Sequence, residues 1–226
     1  AYAYGLDSEG GDVNNTGEIT VTVAGGTAVA DDNVLAYGDG IGVYATSDVN
    51  NTGTVDLNVM GGAATARASI ADANSYAYGL QSDTGAIYNT GAIQSMATAG
   101  TADANDAAYT NAIAYGIHSG GLVDNAGVLT VAGTGGEADA NNLASAEAVA
   151  VGIYTPTDVI NSDEITTIVE GGTADGDALA SSEGDAAGIY SRAAVTNSGD
   201  IHVFALGGTA DANAVAIPDV NAVGIY

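Results

Sequence analysis

Cysteine is absent from this sequence, so no disulfide, thiolate metal site or thiol nucleophile can enter its chemistry. Tryptophan is absent too, and phenylalanine occurs once, at Phe204. Apolar surface must therefore be buried through many small side chains rather than a few large aromatic anchors. Only 2 prolines interrupt the chain against 33 glycines, a balance that suits strands that turn often and are seldom broken. Positive charge is nearly missing: Arg67 and Arg192 stand against 28 acidic residues, for a formal net charge of −26. A polyanion repels phosphate backbones and anionic headgroups, which argues against nucleic acid and anionic membrane surfaces as partners. No apolar run approaches the ~18 residues that span a bilayer, so membrane insertion is not expected. The sequence opens at Ala1 rather than Met and shows no signal peptide, and it reads as processed or excerpted.

What is present is a repeat. A Gly followed by Ile, Leu or Val recurs at Gly5, Gly42, Gly79, Gly116, Gly152, Gly188 and Gly224, in steps of 37, 37, 37, 36, 36 and 36 residues. A second landmark, Asn followed two residues later by Gly or Asp, falls at Asn15, Asn51, Asn89, Asn125, Asn161 and Asn197. A third is glycine at Gly26, Gly62, Gly100, Gly136, Gly172 and Gly208, always 11 residues after its Asn. Constant spacing on one segment with slack on another separates ordered strands from loops. Such periodicity marks a solenoid, whose units cannot bury their apolar face alone but build a continuous core by stacking.

Within the constant segment side chains alternate with period two. Val13, Asn15, Ile19, Val21 and Val23 share one parity, and Asn14, Thr16, Glu18, Thr20 and Thr22 the other, the pattern of a half-buried strand. After the third landmark a second alternation begins, with Ala210, Ala212 and Ala214 expected inside. The Gly-Ile landmark lies on a third strand, with Leu6, Val43, Leu80, Ile117, Ile153, Ile189 and Ile225 inside. The expected fold is all-β, a parallel β-solenoid (β-helix) of six repeats in one domain, residues 1–226, with three strands to a coil. The Val-x-Asn-x-Gly-x-Ile pattern appears once per period, which favours one coil per repeat over two narrower ones. Stacking then makes columns: Val13, Val49, Ile87, Val123, Val159 and Val195; and Ile19, Val55, Ile93, Leu129, Ile165 and Ile201. The Asn column has inward parity, where stacked amides satisfy one another along the ladder.

The phrases VTNSGDIHV (195–203), VNNTGTVDL (49–57) and AYGIHS (114–119) resemble the repeats of bacterial autotransporter passenger regions and related secreted adhesins. There Asn-Ser/Thr-Gly-x-Ile recurs alongside Tyr-Gly-Ile, and the similarity runs the length of the chain. The resemblance implies an elongated β-helix at the cell surface or outside the cell. In that family a membrane barrel presents the passenger; no barrel sequence is present here.

Candidate chemistry is sparse. His118 aligns with Tyr154 and Tyr190, and His202 with Thr166 and Thr130; both occupy outward positions and read as exposed surface residues. The paired glycines at 25–26, 61–62 and 171–172 are corners, since no Lys-Ser/Thr follows them to make a phosphate loop. Acids are spread along the axis rather than gathered in a cleft, which argues against an enzyme. One acidic column stands out: Asp103, Asp139, Asp175 and Asp211 are equivalent, and parallel stacking sets like charges ~5 Å apart. Such a row is unfavourable unless solvated or bridged, and rows of hard oxygen ligands are what Ca²⁺ accepts, so these four aspartates are the candidate metal site and Ca²⁺ the candidate cofactor. Neither a calcium β-roll nonapeptide nor an EF-hand loop accompanies them. Tyr44, Tyr154, Tyr190 and Tyr226 form an outward column interrupted by Asp7, Gln81 and His118, placed either to stack on sugars or to cover the strand below. The column Thr20, Asp56, Gln94, Thr130, Thr166, His202 is too irregular for an ice-binding face.

The expected function is that of an extracellular structural protein forming rods, filaments or surface matrix by axial stacking, its partner being itself, head to tail. The alternative is an adhesin passenger that binds carbohydrate or a cell surface through one solenoid face.

Overall fold

A computed structural model describes residues 1–226, and it is a parallel β-solenoid without a helix. Each coil contributes one strand to each of four sheets, here named A to D in the order in which the chain visits them. One central coil shows the pattern: Ala107–Ser119 in sheet A, Val123–Asn125 in B, Leu129–Thr134 in C and Glu137–Ala140 in D. Sheet A holds seven strands and the others six. All pairings are parallel and in register, with Asn15 beside Asn51 and Asn125 beside Asn161. One period is thus one coil.

The three strands expected per coil are four. The long alternating segment divides after the Asn landmark, because the chain turns between Asn125 and Leu129 and begins a new sheet. Parity survives this turn, so counting alternate residues along the sequence passes over it. A second correction concerns Ala214. Ala210 and Ala212 pack against the interior as expected, but Ala214 is exposed in the bend that leads into the last strand.

The interior is graded in side-chain size. At the edge where sheets A, B and C meet, Val43, Val49, Ile87, Ile117, Leu129, Ile153 and Ile165 form an aliphatic cluster with almost no exposure. Where sheet D faces the start of sheet A, the cluster is alanine throughout except for Val34: Ala64, Ala73, Ala102, Ala138, Ala144 and Ala174 among others. Alanine on both walls lets them approach more closely than the ~10 Å usual between packed sheets. This is how a chain without Trp, and with its one Phe exposed, fills its core.

The Gly-Ile landmark is a slip in the alternation. Along Ala107–Ser119, Tyr115 faces outward, Gly116 and Ile117 are both buried, and His118 faces outward again. Two consecutive inward residues cannot both carry a side chain here. A Cβ on Gly116 would lie 2.7 Å from the carbonyl oxygen of Gly152 and 2.8 Å from Cγ2 of Val131. No glycine has a positive φ, so it is close approach, not backbone conformation, that requires glycine at this position.

Candidate functional site

Three lateral rows carry the side chains that chemistry could use: amides inside sheet B, carboxylates outside sheet D, and aromatic rings outside sheet A.

The amide row is an unbroken ladder. Nδ2 of Asn15 donates to Oδ1 of Asn51 at 2.7 Å, and the same 2.7 Å bond repeats from Asn51 to Asn89, Asn89 to Asn125, Asn125 to Asn161 and Asn161 to Asn197. From Asn51 onward the second hydrogen of each amide closes the turn that follows, as in Asn125 Nδ2 to the carbonyl of Gly127 at 2.8 Å. Each inner Asn is thereby satisfied in full burial, which is why a polar residue is stable in this column. A matching row on sheet A was not foreseen from sequence. Oγ of Ser82, Ser119 and Thr155 pins the bend after sheet A, with Ser119 accepting from Gly121 N and donating to Gly85 O, both at 3.1 Å. Its signal is a hydroxyl residue three positions after the landmark glycine, at Ser8, Ser82, Ser119, Thr155 and Ser191, broken only at Ala45.

The carboxylate row is placed as expected. Asp103, Asp139, Asp175 and Asp211 are register neighbours on sheet D. Burial, then the charges of Asp175 and Asp103, raise the carboxyl of Asp139 above its ordinary value. Nowhere in the structure do three or more His, Asp or Glu side chains converge in an arrangement that could hold a metal ion. Elsewhere the chain relieves such stacking by alternating acid with amide: Asn213 donates to Asp177 and Asn221 to Asp185, both at 2.8 Å, and Asn142 to Asp106 at 3.1 Å.

Burial is also the leading cause that raises Asp39, Asp72, Glu147 and Glu183. A raised carboxyl binds its proton more tightly in the folded chain than in the unfolded one, so stability grows as pH falls toward the unfolded value of about 4. His118 opposes this. Burial lowers its pKa, so stability is lost as pH falls below its unfolded value of about 6.5. Five carboxyls outweigh one imidazole, and the melting temperature is expected to be higher at about pH 4.5 than at pH 7, the reverse of ordinary acid denaturation. Screening acts in the same direction. NaCl at pH 7 is expected to raise the melting temperature, and CaCl₂ of matched ionic strength to do so equally; a larger rise with Ca²⁺ would assign the aspartate row to that cation.

The aromatic row departs from expectation. Tyr44, Gln81, His118, Tyr154 and Tyr190 do share one column. His118, however, is half-buried rather than exposed, because Tyr78, Tyr115 and Tyr154 surround its ring at centroid distances of 5.7, 5.2 and 5.0 Å. Tyr78 and Tyr115 belong to the column just before the glycine slip, and the slip brings the two columns together. The result is one continuous file, Tyr78–Tyr115–His118–Tyr154–Tyr190–Tyr226, with successive centroids 5.2, 5.2, 5.0, 5.1 and 4.9 Å apart. Interplanar angles of 12°, 9° and 11° in its tyrosine pairs show that the rings stack on one another. Within the file the stacked tyrosines occupy one another's faces, while Tyr226 at its end is 69% exposed. Burial pushes the Tyr78 phenol up to about 12. Beyond Tyr115 the neighbouring column turns to Val151, Ala187 and Val223, leaving an open apolar furrow of about 290 Å³. Its one carboxylate, Asp185, already accepts from Asn221. His202 lies exposed on sheet C, apart from this file.

Comparisons with protein-family models, with curated proteins and with solved structures found no match for this chain.

Proposed function

We propose that this chain is a structural rod, a non-catalytic stack of coils that extends along its own axis. The observation that carries the reading is the uniformity of the stack. The aliphatic columns, the amide ladder and the glycine slip run through every coil, and none departs from the pattern to gather reactive groups in a cleft. At either end of the stack the outermost coil leaves core-facing side chains uncovered: Leu6 is 38% exposed and Ile225 47%, against 0% for their column partners Val43, Leu80, Ile117, Ile153 and Ile189. Another coil, from the same polypeptide or from a second copy, would cover them and continue the hydrogen-bond ladders. Between two copies such a contact would be head to tail and would not close, so it would generate filaments. The net charge of −26 discourages side-by-side association and leaves the axis as the favoured direction. The likeness of the repeats to autotransporter passengers supports an extracellular or cell-surface setting. Attachment of such a rod to carbohydrate or to a cell surface would use outer side chains, among them Tyr226, 69% exposed at the end of the ring file.

The purified chain is expected to form rods whose length grows with concentration while their width stays that of one solenoid. Sedimentation and negative-stain microscopy measure both. The geometry also restricts the axial repeat. Because sheet A has one strand more than the other sheets, the last strand of one copy and the first of the next compete for a single layer of sheet A. A subunit adds about 29 Å if one of the two is displaced, and about 34 Å if both remain, at ~4.8 Å per layer. A monomer that persists at high concentration with both end coils ordered would overturn the proposal.

A further inference from the structure

The tyrosine file has a second property that packing alone does not use. Tyr154 and Tyr190 are register neighbours on parallel strands, with ring centroids 5.1 Å apart and planes within 9° of one another. Tyr226 continues the stack at 4.9 Å and 11°. The rings are half-exposed or exposed, so an oxidant in solution reaches them. The same chain has no cysteine, so covalent reinforcement between coils cannot come from disulfides.

We propose that this file is an oxidative modification site, where Tyr154 and Tyr190 couple to dityrosine and make a covalent rung between successive coils. The oxidant is hydrogen peroxide acting through a haem peroxidase. Each phenol gives up one electron and its hydroxyl proton. The two phenoxyl radicals form one carbon–carbon bond between ring carbons ortho to oxygen. The hydrogens on those carbons move to the oxygens as the rings regain aromaticity. Two tyrosines and one H₂O₂ become one dityrosine and two waters. Parallel in-register pairing holds the two side chains on adjacent strands ~4.8 Å apart, so the radicals meet without diffusion. Tyr190 has a stacked tyrosine on each side and is the partner common to both pairs. Tyr78 and Tyr115 are stacked at 5.2 Å but lie deeper, and they react more slowly.

The test is brief treatment of dilute protein with peroxidase and hydrogen peroxide, followed by dityrosine fluorescence and mass-spectrometric mapping of the cross-linked peptides. Intrachain Tyr154–Tyr190 and Tyr190–Tyr226 links are expected to dominate, and the treated protein to melt at a higher temperature. Tyr190→Phe keeps the stacked ring and should abolish both links, with the circular dichroism of the native fold retained. Tyr88→Phe should leave the yield unchanged, since Tyr88 is 40% exposed yet belongs to no ring stack. Dityrosine formed chiefly at the exposed, unstacked Tyr2 or Tyr88, or only between chains, would overturn the proposal. So would an undiminished yield in Tyr190→Phe. Peptide mapping of the unsubstituted protein decides the matter even if a variant fails to fold.

Discussion

Asn125→Ala is expected to lower the melting temperature by about 10 °C, more than any single aliphatic truncation to the next smaller residue. The side chain accepts from Asn89, donates to Asn161 and donates to the carbonyl of Gly127. Alanine strands an amide hydrogen of Asn89 and the oxygen of Asn161, both fully or almost fully buried. Each unsatisfied buried group costs about 1–3 kcal/mol, and in a chain of this size 1 kcal/mol shifts melting by about 2–4 °C. Asn125→Asp should be worse at neutral pH, since a carboxylate keeps the acceptor and loses both donors. Part of that loss should return at acid pH, where the protonated acid regains one donor. Asn197→Ala is the internal comparison. It ends the ladder and is exposed, so its partner can turn to water and the loss should be small. Thermal melts of the three variants read the ladder directly. Equal losses at Asn125 and Asn197 would show that the amides contribute only locally, through their turns.

Gly116→Ala is expected to destabilise by about 1–3 kcal/mol, the usual cost of an overpacked core, and Gly116→Val to prevent folding. The added carbon would fall against the backbone oxygen of Gly152 and the γ-methyl of Val131. The first belongs to the next strand and cannot rotate away. Gly10→Ala, in an exposed bend with nothing within 4 Å of the new carbon, should be neutral or slightly stabilising, because alanine restricts the unfolded chain. Denaturant titration separates the two variants. Near-ultraviolet circular dichroism adds a specific check, because the slip at Gly116 sets Tyr115 and His118 side by side in the ring file. A Gly116→Ala protein that folds should therefore show an altered tyrosine signal, while Gly10→Ala should not.

The two substitutions also mark where sequence suffices and where it stops. The amide ladder was legible because its cause lies along the chain. A residue of inward parity recurring at a nearly constant interval must meet its own copies once the coils stack, and an amide is both donor and acceptor. The same logic placed the Val13 and Ile19 columns, the one-coil period and the in-register aspartates Asp103, Asp139, Asp175 and Asp211. Asp103 and its equivalents show the limit. Sequence sets them side by side, but whether oxygens converge on one point depends on side-chain direction, and in the folded chain no metal-holding group of three forms.

The division of the long segment into sheets B and C was hidden for a related reason. The turn between Asn125 and Leu129 preserves the alternation on both sides, so nothing in the pattern of apolar residues records the change of direction. The aromatic file was hidden more completely. Tyr115 and His118 are three residues apart, a spacing that on an uninterrupted strand puts side chains on opposite faces. Only the inward pair Gly116–Ile117 returns them to one face, where the next coil brings Tyr154 against them. Sequence by itself determined the period, the inward faces and the columns, because these follow from a two-residue alternation and a fixed repeat length. The tertiary structure alone decided the fourfold path of each coil and the joining of two columns into one stack of rings, because both depend on bends that parity does not register.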